Sequence, residues 1–243
     1  MIISHRYKYV FVELPHTGST AISAELRELY DGSKILRKHA RYSEFLRTAS
    51  STEREYFAFS CIRHPLDVAV SVYFRYKTDH LGRYSEPRGS VTRSDVELFR
   101  FIQRTGADFS TYLRHAYGRP IPYDNFSREA HRDLDFVLRF ESLADDFSKV
   151  LTLIGIEPRR PLPVANSTSE RSSDFASYYA PEVVALAKWV FGPFMERWGY
   201  EFPPGWGSPR APFTARVAFH VVGALRRALA TLPRGPRLKA QSS

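Results

Sequence analysis

With 243 residues and 43% hydrophobic content, the chain is long enough to bury a full core as one α/β domain with trimmings. Its formal charge of +9 sits mostly at one end. After Glu201 there is no Asp or Glu, while Arg210, Arg216, Arg226, Arg227, Arg234, Arg237 and Lys239 leave residues 1–201 with 28 basic against 26 acidic side chains. A nearly neutral body argues against a nucleic-acid groove, and the single cysteine, Cys61, excludes an intramolecular disulfide and a cysteine-rich zinc site.

No unbroken apolar run is long enough to span a bilayer, and Met1 leads almost directly into His5, Arg6 and Lys8. The expectation is a soluble, cytoplasmic protein. "YKYVFVEL" (7–14) has the β-branched and aromatic content of a buried strand, and "ISAELRELY" (22–30) has the composition of a helix. "KILRKHARYSEFLRTA" (34–49) reads as a short strand, a turn at His39 and a helix. "EYFAFSCIR" (55–63) is a second strong strand, and Pro65 suits the first position of the helix that follows, where Leu66, Ala69, Val70 and Tyr73 share a face. Residues 78–93, polar and broken by Gly and Pro, read as a loop or lid.

Helices are expected over 94–104 and 108–117, and a strand in "LDFVLRFE" (134–141). A helix capped by Ser142 should follow and end near Gly155. Residues 157–174 are loop-like, and 180–199 are helical with an interruption near Gly192 and Pro193. Strands alternating with helices predict an α/β fold with a mostly parallel central sheet flanked by helices. This domain is expected to occupy 1–202. Residues 203–243 should form a Pro/Gly linker and a basic amphipathic helix with Phe213, Val217, Val221 and Leu225 at successive near-turns. That helix could dock on the body or contact an anionic membrane through 210–232.

Between the first strand and helix lies "ELPHTGSTA" (13–21). A strand that turns through Gly into a helix gathers backbone N–H groups at the positive end of the helix dipole, where Thr17, Ser19 and Thr20 add hydroxyl donors. On this stretch alone, a phosphate cradle and an ordinary capped β-to-α connection are equally good readings. A Walker P-loop is set aside because G-x-x-x-x-G-K-[ST] is absent. A second stretch, "CIRHPLDVAVSVYFRY" (61–76), places Arg63 at a strand end and Ser71 in the next helix, so a guanidinium fork and a hydroxyl could meet another anion at the same sheet edge.

Taken together, these stretches resemble the PAPS-dependent sulfotransferase superfamily, where PAPS is 3'-phosphoadenosine 5'-phosphosulfate. "ELPHTGSTA" is similar to its 5'-phosphosulfate loop, P-K-[ST]-G-[ST]-[ST]. "IRHPLDVAVSVYFRY" is similar to its 3'-phosphate motif, R-[ND]-P-x-[DE]-x-x-x-S-x-Y, with Arg63, Pro65, Asp67, Ser71 and Tyr73 in register. "DFVLRFESLADDFSKVLTLIGI" and the segment from Asn166 to Phe202 resemble later parts of the carbohydrate-type members, so the likeness runs from about 7 to 202.

The resemblance implies a P-loop-like sulfotransferase fold and sulfuryl transfer from PAPS to an acceptor hydroxyl, with 3'-phosphoadenosine 5'-phosphate (PAP) as product and no required metal. Its acceptor would be a carbohydrate or glycolipid. It places His16, Thr17, Gly18, Ser19, Thr20 and Ala21 around the 5' end, Arg63 and Ser71 on the 3'-phosphate, and Arg171 as a further contact. His16 departs from the family's usual lysine. Histidine near its ordinary pKa of about 6.5 is only partly charged at neutral pH; if bound phosphate and sulfate groups raise that value His16 can still donate to the leaving group, and if they do not the protein is slow or only binds the nucleotide. His39 corresponds to a histidine that serves as a candidate base in carbohydrate-type relatives; a strand-end histidine bonded to backbone is the other reading. The contending functions are a P-loop nucleotide kinase and a non-catalytic PAP-binding or membrane-associated module. No His, Asp and Glu grouping has metal-ligand spacing, so no metal site is expected.

Overall fold

The computed structural model describes residues 1–79, 81–86, 91–119, 121–130, 134–163, 172 and 174–231. A five-stranded sheet runs in the order β3-β1-β2-β4-β5. Its strands are β1 (Ile2–Ser4), β2 (Tyr9–Val12), β3 (Ser33–Lys34), β4 (Phe57–Ile62) and β5 (Phe136–Arg139). The central set β2, β4 and β5 is parallel, whereas β1 pairs antiparallel with both β2 and β3. The mostly parallel sheet therefore has an antiparallel edge. Strand β1 escaped the sequence reading because three residues are too few to display a period.

Alternation along the strands divides the core into two faces. Tyr9, Phe11, Phe59, Cys61 and Leu138 pack against Ile22 and Leu26 of α1 (Ser19–Leu29) and Phe147, Val150 and Leu151 of α7 (Leu143–Leu153). On the other face Val10, Val12, Ala58 and Ile62 meet Tyr42 and Phe45 of α2 (Tyr42–Thr48), Phe126 of α6 (Asn125–Glu129) and Phe194 of α8 (Pro181–Trp198). Helix α3 (Pro65–Thr78) starts with Pro65 at its first position and buries Leu66, Ala69, Val70 and Tyr73 in a third cluster. That cluster also contains residues of α4 (Arg93–Thr105), α5 (Phe109–Tyr117) and α8. Fully burying each such aliphatic or aromatic side chain stabilises the fold by about 1.5–3 kcal/mol.

One sequence expectation needs correction here. Helix α8 is not interrupted at Gly192 and Pro193 but runs unbroken through them. An interior proline costs about 3 kcal/mol, and this one is offset by packing, because every residue from Val190 to Met195 is buried. The carbonyl of Val190, three residues before the proline, accepts the Tyr123 N–H at 2.8 Å. Gly192 also leaves room for Ala211, whose Cβ would lie 2.8 Å from any Cβ placed at 192.

The last helix is α9 (Phe213–Thr231). It lies against the body, but not through its stripe of large apolar residues. Ala215, Phe219 and Gly223 are buried, and Phe219 joins the cluster that holds Val10 and Phe194. Phe213, Val217, Val221 and Leu225 face solvent. Polar anchors flank the contact: Glu196 accepts the Ala211 N–H at 2.6 Å, and Arg226 donates to the Asp124 carbonyl at 3.1 Å. Phe219→Ala should cost about 3–5 kcal/mol of unfolding free energy in urea titration, and Val221→Ala no more than about 0.5 kcal/mol. Equal losses would contradict this docking face.

Candidate active site

Strands β2 and β4 are parallel neighbours with Val12 opposite Ser60, so the loops that leave them emerge at one edge of the sheet. Two bonds fasten the first loop to the second strand. Ser60 Oγ donates to the Val12 carbonyl at 2.7 Å, and Cys61 Sγ donates to the Thr17 carbonyl at 2.9 Å. Burial pushes the Cys61 thiol far up, so it remains a protonated donor.

Within the first loop, Thr17 Oγ1 and Ser19 Oγ both donate to the Leu14 carbonyl, at 3.0 and 2.9 Å. These buried hydroxyls shape the turn and do not face outward as the sequence suggested. What the turn presents is backbone: the N–H groups of Ser19 and Thr20 open α1, before the first helical bond, with Ala21 N–H bonded to the Gly18 carbonyl at 3.0 Å. Gly18 is required twice over. Its φ is +78°, and a Cβ there would lie 2.9 Å from Leu143 Cδ2 and 3.0 Å from Phe140 Cδ2. Phe140 and Leu143 follow β5, so three parallel strand ends converge on this bend.

Arg63 ties the two loops together. Its buried guanidinium bonds Asp67 Oδ2 through Nε at 2.7 Å, lies 4.1 Å over the Phe140 ring, and directs Nη1 toward the His16 carbonyl at 3.5 Å. Asp67, Ser71 and Arg75 recur every four residues on α3 and so share one face. Ser71 is buried on that face. Arg75, which the sequence reading did not single out, reaches the first loop and donates from Nη1 to His16 Nδ1 at 2.7 Å. Its signal was present in the helical spacing from Asp67 and Ser71.

That bond assigns the His16 tautomer. An arginine can only donate, so Nδ1 carries the lone pair and Nε2 carries the proton. Burial drives the imidazole down to about 3, reinforced by the positive charge of Arg75, then by His39 and Arg63; Asp95 acts weakly in the other direction. This pocket thus holds His16 neutral. Its backbone is left-handed, with φ +65°, a conformation that His tolerates better than most side chains.

His39 also stands at positive φ, +57°, and its Nδ1 lies 2.9 Å from the Glu13 carbonyl. A carbonyl accepts, so Nδ1 is protonated and Nε2 keeps its lone pair. Burial lowers its pKa, with the Glu13 bond opposing, and neutral imidazole is the form that can take a proton. Beside it Lys38, also absent from the sequence shortlist, donates from Nζ to Thr20 Oγ1 at 3.1 Å at the mouth of the turn. The structure therefore brings His16, Thr17, Gly18, Ser19, Thr20, Ala21, Arg63 and His39 to one edge, with Ser71 on the helix above. Arg171 lies outside the described residues.

A model described as the sulfotransferase family matches residues 1–185, and the chain belongs to that family. No curated protein matches it. Among solved structures, it is similar to mouse sulfotransferase SULT7A1 complexed with PAP, at 15% identity over 74% of this chain and 81% of that one, with a TM-score of 0.38.

The neutral His16 has a consequence for acid stability. Its folded pKa lies below its ordinary value of 6.5, so the unfolded chain takes the proton first as pH falls. Its contribution is complete above pH 6.5 and declines as pH falls toward about 3. His16→Gln retains an acceptor for Arg75 and removes the titration. Thermal melting from pH 7 down to about 4.5 should fall less steeply in His16→Gln than in the parent, and parallel curves would refute the neutral assignment.

Proposed function

We propose that the protein transfers a sulfuryl group from PAPS to an acceptor hydroxyl on a carbohydrate or glycolipid. The observation that carries this reading is the meeting of two strand-end loops through Arg63, at a helix N-terminus ringed by Arg63, Arg75 and Lys38. A glycine turn that opens a helix, with three cationic side chains around it, suits a ligand with anionic groups at separated points. PAPS would supply the activated sulfuryl group.

In this reading the N–H groups of Thr17 to Thr20 hold the 5' end. Arg63, braced by Asp67, and Ser71 hold the 3'-phosphate that separates the donor from ATP. His16 donates from Nε2 as a neutral group toward the bridging oxygen, where negative charge grows. The positive charge a family lysine would contribute there comes from Arg75 behind the imidazole and Lys38 at the turn. His39, held by Glu13, turns its free Nε2 to the acceptor hydroxyl, accepts its proton and leaves the oxygen able to attack. Positioning and charge stabilisation carry most of such a transfer.

A panel of oligosaccharide and glycolipid acceptors incubated with radiolabelled PAPS tests the reading. The parent protein should label at least one acceptor. His39→Gln should lower kcat by about 10²–10⁴ with PAP affinity retained, while Arg75→Met lowers kcat through lost charge at the bridging oxygen. PAP binding with no transfer to any acceptor, or transfer indifferent to His39→Gln, would make the protein a binding module or relocate its base.

A further inference from the structure

Helix α9 docks on the body by one face and leaves a second apolar face uncovered. At about 100° per residue, Phe213, Val217, Val221, Leu225 and Leu229 wind through an arc of about 160°. Phe213 is 72% exposed, Val221 53% and Leu229 65%. The other residues that fall within this arc are Thr214, Ala218, Ala224 and Ala228, so no charged side chain interrupts it. Isolated exposed leucines or valines are ordinary on a protein surface, but five large apolar side chains along one helix are not.

Charge decides what covers this face. His220 and Arg227 border the arc on one side. Beyond them, between α8, α9 and the loop before α6, lies a cavity of about 360 Å³ whose walls carry Arg197, Arg216, Arg227 and His220 opposite Asp124 and Glu196. The segment from 202 to 243 contains seven basic residues and no acidic one. A second copy seated on the same face would oppose two such segments of like charge, whereas a surface of anionic headgroups over hydrocarbon complements both the apolar arc and its basic border. Among the described residues no helix is long and apolar enough to cross a membrane, so α9 would lie along the surface with its arc in the acyl boundary.

We infer that the exposed face of α9 binds the surface of an anionic lipid bilayer, holding the body against it through Ala215 and Phe219. Basic side chains near such a surface each add about 1 kcal/mol, reduced by salt, and the buried arc supplies the remainder. The inference stands apart from the donor reading because it is measured without nucleotide or acceptor.

The test is co-sedimentation of the full chain with vesicles of phosphatidylcholine, alone and mixed with phosphatidylglycerol. The parent should pellet with the mixed vesicles, less so as salt rises, and remain in solution with the neutral ones. The double variant Val221→Asp, Leu225→Asp changes only exposed positions and should keep the parent's melting temperature while binding mixed vesicles at least tenfold more weakly. Arg227→Glu should bind more weakly with a shallower salt dependence. Equal vesicle binding by parent and double variant, or no binding by the parent at low salt, overturns the inference. A parent dimer in analytical ultracentrifugation that the double variant abolishes, with no vesicle binding by either, assigns the face to a second copy and also overturns it.

Discussion

The parallel pairing of β2 with β4 is the constraint from which the site follows. Two residues exchanged in register, Val12 and Ser60, bring the ends of both strands to one edge, and everything that could grip an anion is carried on what comes next. The bend at Gly18 then becomes possible because Phe140 and Leu143 fill the space where a side chain would be. Cys61 and Arg63, two residues apart on one strand end, hold the bend by its Thr17 and His16 carbonyls. Without the parallel register, the helix N-terminus of α1 and the guanidinium of Arg63 would belong to separate surfaces. With it they lie at one edge of the sheet.

At that edge positive charge is spread over several groups. Burial and the adjoining guanidinium lower the His16 pKa, so His16 is a neutral donor with a fixed tautomer. Permanent charge is displaced one residue outward, to Arg75 on α3 and Lys38 on the loop before α2. His39 has the complementary tautomer, with its lone pair on Nε2. The two histidines thus differ in role through their partners alone: an obligate donor faces one and an obligate acceptor faces the other. Both sit in left-handed backbone, at a cost of roughly 1–2 kcal/mol each, which the surrounding hydrogen bonds must offset.

Much of this was legible in the chain itself. The strand, turn and helix around "ELPHTGSTA" and the placement of Arg63 before a proline-led helix are local signals, and local signals survive translation into structure. The charge of His16 was not legible, because it depends first on burial and then on Arg75, 59 positions away, and both come from the tertiary fold. Arg75 lay in plain view at helical spacing from Ser71, but only the fold says which way that face of α3 points. The outward turn of the Thr17 and Ser19 hydroxyls failed for a related reason: the Leu14 carbonyl was a nearer acceptor than any ligand. Continuity of α8 through Pro193 reflects tertiary packing overriding a helix breaker. In α9 the large apolar stripe was correctly traced, yet the docked face is the one with Ala215 and Gly223, because small residues allow close approach that hydrophobicity does not report.

The central claim is that one adenosine nucleotide is held by both ends, with Arg63 reading its 3'-phosphate. Titration calorimetry comparing PAP with adenosine 5'-phosphate, which differs only by that group, addresses it directly. Charge-assisted bonds of about 1.5–3 kcal/mol predict that PAP binds at least about tenfold more tightly. Equal affinities, or no heat with either nucleotide, would contradict the account.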